Sequence, residues 1–355
     1  MVEFRAMPTS LTPELAASPF LRALRREPVP HTPIWIMRQA GRYLPEYRAV
    51  RDKVTFLELC KTPELACQVT LDAQRILGTD AAILFADILL ILQPMGMDLE
   101  FAKGEGPVLH NPLRDAARVD TFKSVDPREH LGYVLETVKL VRAGLPRDIP
   151  LIGFSGAPFT LASYMIEGGG SKNFVETKAF MYREPAAWHR LCAKLADNIG
   201  RYLVAQVDAG AQALQLFDSW VGHLSPSDYR EYVLPHTQAV FRALPKGVPT
   251  IHFGVGTSTL LELMGEAGGD VIGVDYHQEL DQAWARLPGK GVQGNLDPAA
   301  LFAGRDFIKA RVARILKQAA GRPGHVFNLG HGILPGTPVD GAKAAVELVH
   351  ELSQT

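Results

Sequence analysis

Arg38 and Arg42 frame Gln39-Ala40-Gly41 directly after the apolar run Ile34-Trp35-Ile36-Met37. A guanidinium offers a planar fork of donors that matches carboxylate or phosphate oxygens. Gly41 lets the backbone turn or approach a ligand closely. Asp87 ends another apolar run, Ile83-Leu84-Phe85-Ala86. A carboxylate there costs several kcal/mol if it is buried alone, so it needs cations or N–H donors from the protein or from a ligand. His331 stands between Gly330 and Gly332, Tyr164 follows an apolar stretch, and Ser219 follows Asp218. Each has a plainer use. The arginines can pair with Glu46 or Glu58, and Asp87 with Arg38. His331 can be structural, Tyr164 can pack a helix, and Ser219 can cap the segment before Trp220.

Other chemistries find little support. The chain has no H-E-x-x-H and no G-x-S-x-G, and Gly168-Gly169-Gly170-Ser171-Lys172 lacks P-loop spacing. The three cysteines, Cys60, Cys67 and Cys192, form no C-x-x-C, which argues for a reducing compartment and against a cysteine metal site. A formal net charge of −1 provides no global field for nucleic acid or an anionic membrane. The longest apolar stretch, residues 81–92, is too short to span a bilayer and contains Asp87. Residues 1–26 carry Glu3 and Glu14 and no uninterrupted apolar core, unlike a secretory signal. A cytoplasmic protein without a metal centre is expected.

These residues need a scaffold that brings strand ends together. Short apolar runs near residues 34–37, 80–87, 150–154, 211–217, 250–253, 271–274, 291–293 and 325–328 read as strands. Helical sequence lies between them, as at Thr62-Pro63-Glu64, a helix start that runs to Gly78. Residues 99–109 read as a small hairpin with Gly104 and Gly106 between its arms. Eight strands alternating with helices predict a parallel (β/α)8 TIM-type barrel, a single catalytic domain over residues 31–355. A proline-rich lead-in over residues 1–30 precedes it. An open doubly wound sheet is the competing architecture, and it is weakened by the lack of G-x-G-x-x-G after any early strand. In a barrel, chemistry belongs at the C-terminal strand ends, where Arg38, Arg42, Asp87, Ser155, Asp218, Ser219, His252, Asp275, Asn295 and His331 fall.

The stretch Trp-Ile-Met-Arg-Gln-Ala-Gly-Arg-Tyr-Leu-Pro-Glu-Tyr at residues 35–47 resembles the N-terminal signature of the uroporphyrinogen decarboxylase family. Gly-Phe-Ser-Gly-Ala-Pro-Phe-Thr-Leu-Ala-Ser-Tyr at 153–164, with Met165 to Gly168 after it, resembles that family's other signature. The likeness runs from about residue 18 to the C-terminus. It implies a barrel and a homodimer. The activity it implies is cofactor-independent removal of CO2 from the four acetate side chains of uroporphyrinogen III. Carried over residue by residue, it makes Asp87 and Arg38 catalytic. It also has Arg38, Gln39, Ala40, Gly41, Arg42, Asp87, Tyr164, Ser219 and His331 contact the substrate. The H-x-C zinc motif of related cobalamin-linked methyltransferases is absent.

The chemistry follows from the substrate. Loss of CO2 from a pyrrole acetate leaves a carbanion, and a protonated pyrrole ring is a sufficient electron sink. Arginines answer the eight carboxylates, and a central carboxylate answers the inward-facing pyrrole N–H groups and the developing cation. The proton donor is open between Arg38 and a substrate carboxyl. Two rival functions are a porphyrinogen carrier without turnover and a glycosidase using Asp87 with Asp218.

Overall fold

The computed structural model describes residues 11–102 and 106–354. Gly104 of the expected hairpin turn and residues 1–10 of the lead-in lie outside the described residues. The strands are β1 (Ala82–Ile83), β2 (Leu99–Ala102), β3 (Gly106–Leu109), β4 (Leu151–Gly156), β5 (Ala213–Asp218), β6 (Thr250–Gly254), β7 (Val271–Gly273), β8 (Gly291–Gln293) and β9 (His325–Val326). Seven of them form one parallel sheet in the order β1-β4-β5-β6-β7-β8-β9, while β2 and β3 pair antiparallel as the expected hairpin. The register steps evenly, with Ala82 beside Leu151, Leu214 beside Thr250 and Val292 beside His325.

Residues 33–37 occupy the eighth place. Phe327 N–H donates to Pro33 C=O at 2.8 Å on one side, and Asp80 N–H donates to Ile34 C=O at 2.8 Å on the other. These bonds close the sheet into a barrel. The segment forms only a bridge at Ile34 instead of a regular strand. Side chains take over its ladder: Met37 N–H donates to Asn328 Oδ1 at 3.0 Å and Ile36 N–H to Gln39 Oε1 at 3.3 Å. The strand therefore ends early and releases Arg38 into the mouth.

Inside the barrel, Trp35 Nε1–H donates to Gln293 Oε1 at 2.8 Å, and Gln293 Nε2–H donates to Gln215 Oε1 at 3.1 Å. Side chains two apart on a strand share a face, so Phe217 stands above Gln215 on the same inner wall. Phe154 and Phe253 flank it, with ring centroids 5.5 and 6.1 Å away.

Helices form the outer layer: Pro63–Leu77 packs on Gly132–Gly144, Pro185–Ala209 on Leu234–Ala243, and Arg305–Ala319 on Val339–Leu352. The first of these ends at Gly78, whose φ of 69° is the left-handed cap that glycine favours. Thr62 precedes it without capping it, and its hydroxyl donates instead to Glu58 C=O at 2.8 Å. Pro45 opens the helix Pro45–Arg51 at a position where its missing N–H is harmless. The described part of the lead-in is packed: Phe20 and Leu21 of the helix Pro19–Leu24 are fully buried.

Candidate active site

Arg38 follows residues 33–37, Asp87 follows β1, Ser219 follows β5 and His331 follows β9, so all four leave the C-terminal ends of the barrel strands. Arg38 is exposed and holds a left-handed backbone with φ of 64°. That conformation costs a non-glycine residue on the order of 1–3 kcal/mol and is typical of functional turns. Gly332 makes room for its side chain, because a Cβ there would fall 2.6 Å from Arg38 Cδ. Arg42 is exposed on the next turn of the loop. Among the described residues neither guanidinium forms a hydrogen bond or a contact ion pair. Glu58 is committed elsewhere, accepting Thr55 N–H in a capping box. The local acids therefore do not neutralise these arginines.

Asp87 is half-buried and accepts Leu89 N–H on Oδ1 at 2.8 Å. Burial raises its pKa to about 6, against the opposing pull of the Leu89 N–H and the Arg38 charge. Arg38 thus acts on Asp87 through space, without the contact that a structural ion pair requires. Tyr164 lies on the helix Pro158–Glu167, its ring centroid 5.8 Å from that of Trp220. Its pKa is pushed up to about 12 by burial and then by the Asp87 charge, with Trp220 and Arg38 acting the other way. Burial lowers the His331 pKa, and the Arg38 charge lowers it further. Asp87, Tyr164 and His331 all lie within the electrostatic reach of Arg38. Ser219 is half-buried and directly precedes Trp220, the ring neighbour of Tyr164.

Gln39 is turned away. It is buried, takes Ile36 N–H, gives Nε2–H to Ala81 C=O at 3.3 Å, and accepts Tyr43 O–H on its backbone carbonyl at 2.7 Å. Its side chain is a strut for the arginine loop, and the half-exposed backbone of Ala40 and Gly41 is what that loop presents.

Asp218 also points away from the mouth. It is fully buried, accepts Thr160 Oγ1–H at 3.0 Å, and its other oxygen lies 3.9 Å from His252 Nε2. Residues alternate faces along a strand, so Asp218 and His252 lie behind the sheet while Phe217 and Phe253 face the barrel. That removes the second acid of a glycosidase pair. Asp275 is buried as well, accepting Gly256 N–H and, at 3.0 Å, His277 N–H. Sequence reasoning missed Phe154, Phe217, Phe253, Trp220 and Gly332. The phenylalanines were visible only as alternate residues of strands whose inner face was not assigned.

The family described as uroporphyrinogen decarboxylase (URO-D) matches residues 15–352. Uroporphyrinogen decarboxylase from Carboxydothermus hydrogenoformans is 57% identical over 94% of this chain and 96% of its own length. The protein of the same name from Thermus thermophilus is 54% identical over 94% and 97%. Among solved structures, a methyltransferase from Methanosarcina mazei superposes with a TM-score of 0.79 at 20% identity, over 95% of this chain and 98% of its own. That likeness speaks for the barrel alone. With the family match spanning nearly its whole length, the chain belongs to the uroporphyrinogen decarboxylase family.

Proposed function

We propose that this chain converts uroporphyrinogen III to coproporphyrinogen III by removing CO2 from four acetate side chains, without a cofactor. The observation that carries this reading is Asp87, a half-buried carboxylate at a barrel mouth that feels the Arg38 charge but has no contact cation of its own among the described residues. A ligand with peripheral carboxylates and a central ring of N–H donors supplies what each group lacks. Arg38 and Arg42 bind substrate carboxylates. Asp87 accepts from the pyrrole N–H groups and stabilises each cationic ring. The C–CO2 bond then breaks and its electron pair enters the protonated pyrrole; the exocyclic carbon takes up a proton to complete the methyl group, and the ring releases the proton it had gained.

Tyr164, Ser219 and His331 each add a hydrogen bond, and the backbone of Ala40 and Gly41 completes the contact surface. Phe154, Phe217 and Phe253 give the ring faces an apolar floor. Residues 31–355 serve as the catalytic barrel, with residues 1–30 as its lead-in. No helix among the described residues is long and apolar enough to cross a membrane. A cytoplasmic homodimer acting on a free tetrapyrrole, with no nucleic-acid partner, completes the assignment. Light scattering tests the dimer.

Anaerobic incubation with uroporphyrinogen III tests the activity. Coproporphyrinogen III and four equivalents of CO2 are expected. Retention of uroporphyrinogen without product would make the protein a carrier and overturn the assignment.

A further inference from the structure

Three segments far apart in the sequence meet at the opposite end of the barrel, beneath the N-terminal strand ends. His31 comes from the lead-in to residues 33–37, Asp80 from the turn before β1, and His350 from the last turn of the helix Val339–Leu352. His31 Nε2 lies 3.1 Å from Asp80 Oδ1, and His350 Nε2 lies 2.7 Å from Asp80 Oδ2. The two imidazoles meet edge to face with centroids 4.7 Å apart, and the three donor atoms all fall within 4.8 Å of one another. Asp80 is held by main chain on both counts: Oδ2 accepts Ile34 N–H at 2.7 Å, and its own N–H donates to Ile34 C=O at 2.8 Å. Ser353 Oγ accepts Thr32 N–H at 2.9 Å, tying together the chain next to each histidine. The side chains of His31, Asp80 and His350 keep 24%, 12% and 31% exposure, so an ion can enter from solvent without opening the core.

We propose that His31, Asp80 and His350 bind a divalent transition metal of the zinc class, which pins the N-terminal segment and the last helix to the floor of the barrel. Two imidazole nitrogens and a carboxylate suit such an ion and not magnesium or calcium, which take oxygen ligands. Ligand atoms at about 2.0–2.2 Å from a tetrahedral ion sit roughly 3.3 Å from each other, and the three donor atoms, one from each residue, already lie within 4.8 Å of one another. The fourth position faces solvent and takes a water. Ile34 N–H supplies the outer-shell bond that orients the carboxylate. On binding, each histidine presents an Nε2 lone pair and keeps its hydrogen on Nδ1, and any displaced proton passes to solvent. No local spacing marks the site, because its ligands lie at positions 31, 80 and 350. None of them belongs to the mouth described above, so metal binding and decarboxylation are separable.

The full chain, stripped with a chelator and dialysed, is titrated with CoCl2 followed by visible absorption, and with ZnCl2 followed by calorimetry and thermal melting. One ion per chain, displacement of cobalt by zinc, and a zinc-dependent rise in Tm are expected. H31Q and H350Q should each bind at least roughly tenfold more weakly, the lower edge of what losing even an outer-shell partner costs. Both should keep wild-type kcat/KM on uroporphyrinogen, which reports that they are folded. Zinc should also protect His31 and His350 of the wild-type chain from diethyl pyrocarbonate, a readout that needs no variant. Absence of stoichiometric uptake by the wild type, variants that bind as tightly as it does, or equal modification with and without zinc would overturn the site.

Discussion

The side chain of Arg38 lies across Gly332, where a Cβ would come within 2.6 Å of Cδ and 2.9 Å of Nε. One glycine on the loop after β9 therefore sets the position of a guanidinium on the loop after residues 33–37. Gly332→Ala should leave the barrel intact and displace that guanidinium. A shift of about 1 Å in a positioning group can cost on the order of 10²-fold in rate. We expect a fall of that order in kcat/KM with Tm within a few degrees of wild type. Unchanged kinetics would show that Arg38 does not need its present position.

Arg38→Ala and Arg42→Ala remove loop charges without touching the core, so both should fold as wild type and lose substrate affinity. Arg38→Ala should also lose turnover, because the Arg38 charge reaches Asp87. Steady-state kinetics with uroporphyrinogen checks this, and wild-type constants in both variants would return the arginines to a structural role.

Tyr164→Phe and His331→Asn each remove one neutral hydrogen-bonding group from a substrate held by many. Such a bond is worth roughly 0.5–1.5 kcal/mol, about tenfold at most. Partial activity is expected from both proteins. Complete inactivity of folded His331→Asn would assign that residue a larger part.

His325, on β9, is 4% exposed, and burial lowers its pKa to about 4 while Gly294 C=O holds Nε2 at 3.0 Å. The folded state thus binds the proton less readily than the unfolded chain, whose histidine titrates near 6.5. Its contribution to stability is complete above pH 6.5 and is lost as pH falls toward 4. His325→Leu should flatten the pH dependence of unfolding over that window by about one proton. Denaturant unfolding at intervals of pH gives the slope, and an unaltered slope would contradict the assignment.

Much of this architecture was legible because buried parallel strands are short apolar runs and helices announce their ends, as at Thr62-Pro63 and Gly78. The first strand was legible as a run and not as a pairing, since Asn328 and Gln39 side chains replace part of its ladder. Arg38 and Arg42 were recognisable by type, but neither the φ of 64° at Arg38 nor the room Gly332 leaves for its side chain could be read from the sequence. Asp218 and Asp87 looked alike as acids ending apolar runs. Asp218 is still on β5, whose alternation turns it behind the sheet, whereas Asp87 lies beyond the end of β1. The His31–Asp80–His350 cluster was invisible, because barrel closure alone brings those segments together.

Asp87 carries the central claim. Its pKa, raised to about 6, means that burial disfavours the very charge the mechanism uses. Below about pH 6 the carboxylate protonates, so kcat/KM of the wild type should fall on that limb, which reports the free enzyme. The raised value also means that the native state binds this proton more readily than the unfolded chain does. Its contribution to stability therefore declines as pH rises from 3.8 through about 6. Asp87→Asn should accordingly be at least as heat-stable as wild type at pH 7.

The most direct measurement is kcat/KM on uroporphyrinogen III, under anaerobic conditions at pH 7, for wild type, Asp87→Glu and Asp87→Asn. Glu keeps the charge and advances it by a methylene, so it should retain a little activity. Asn loses the charge opposite the ring cation, and loss of one preorganised electrostatic contact typically costs roughly 10²–10³-fold. The order wild type, Glu, Asn is predicted, with all three proteins folded by thermal melting. An Asn variant as active as wild type would contradict the account.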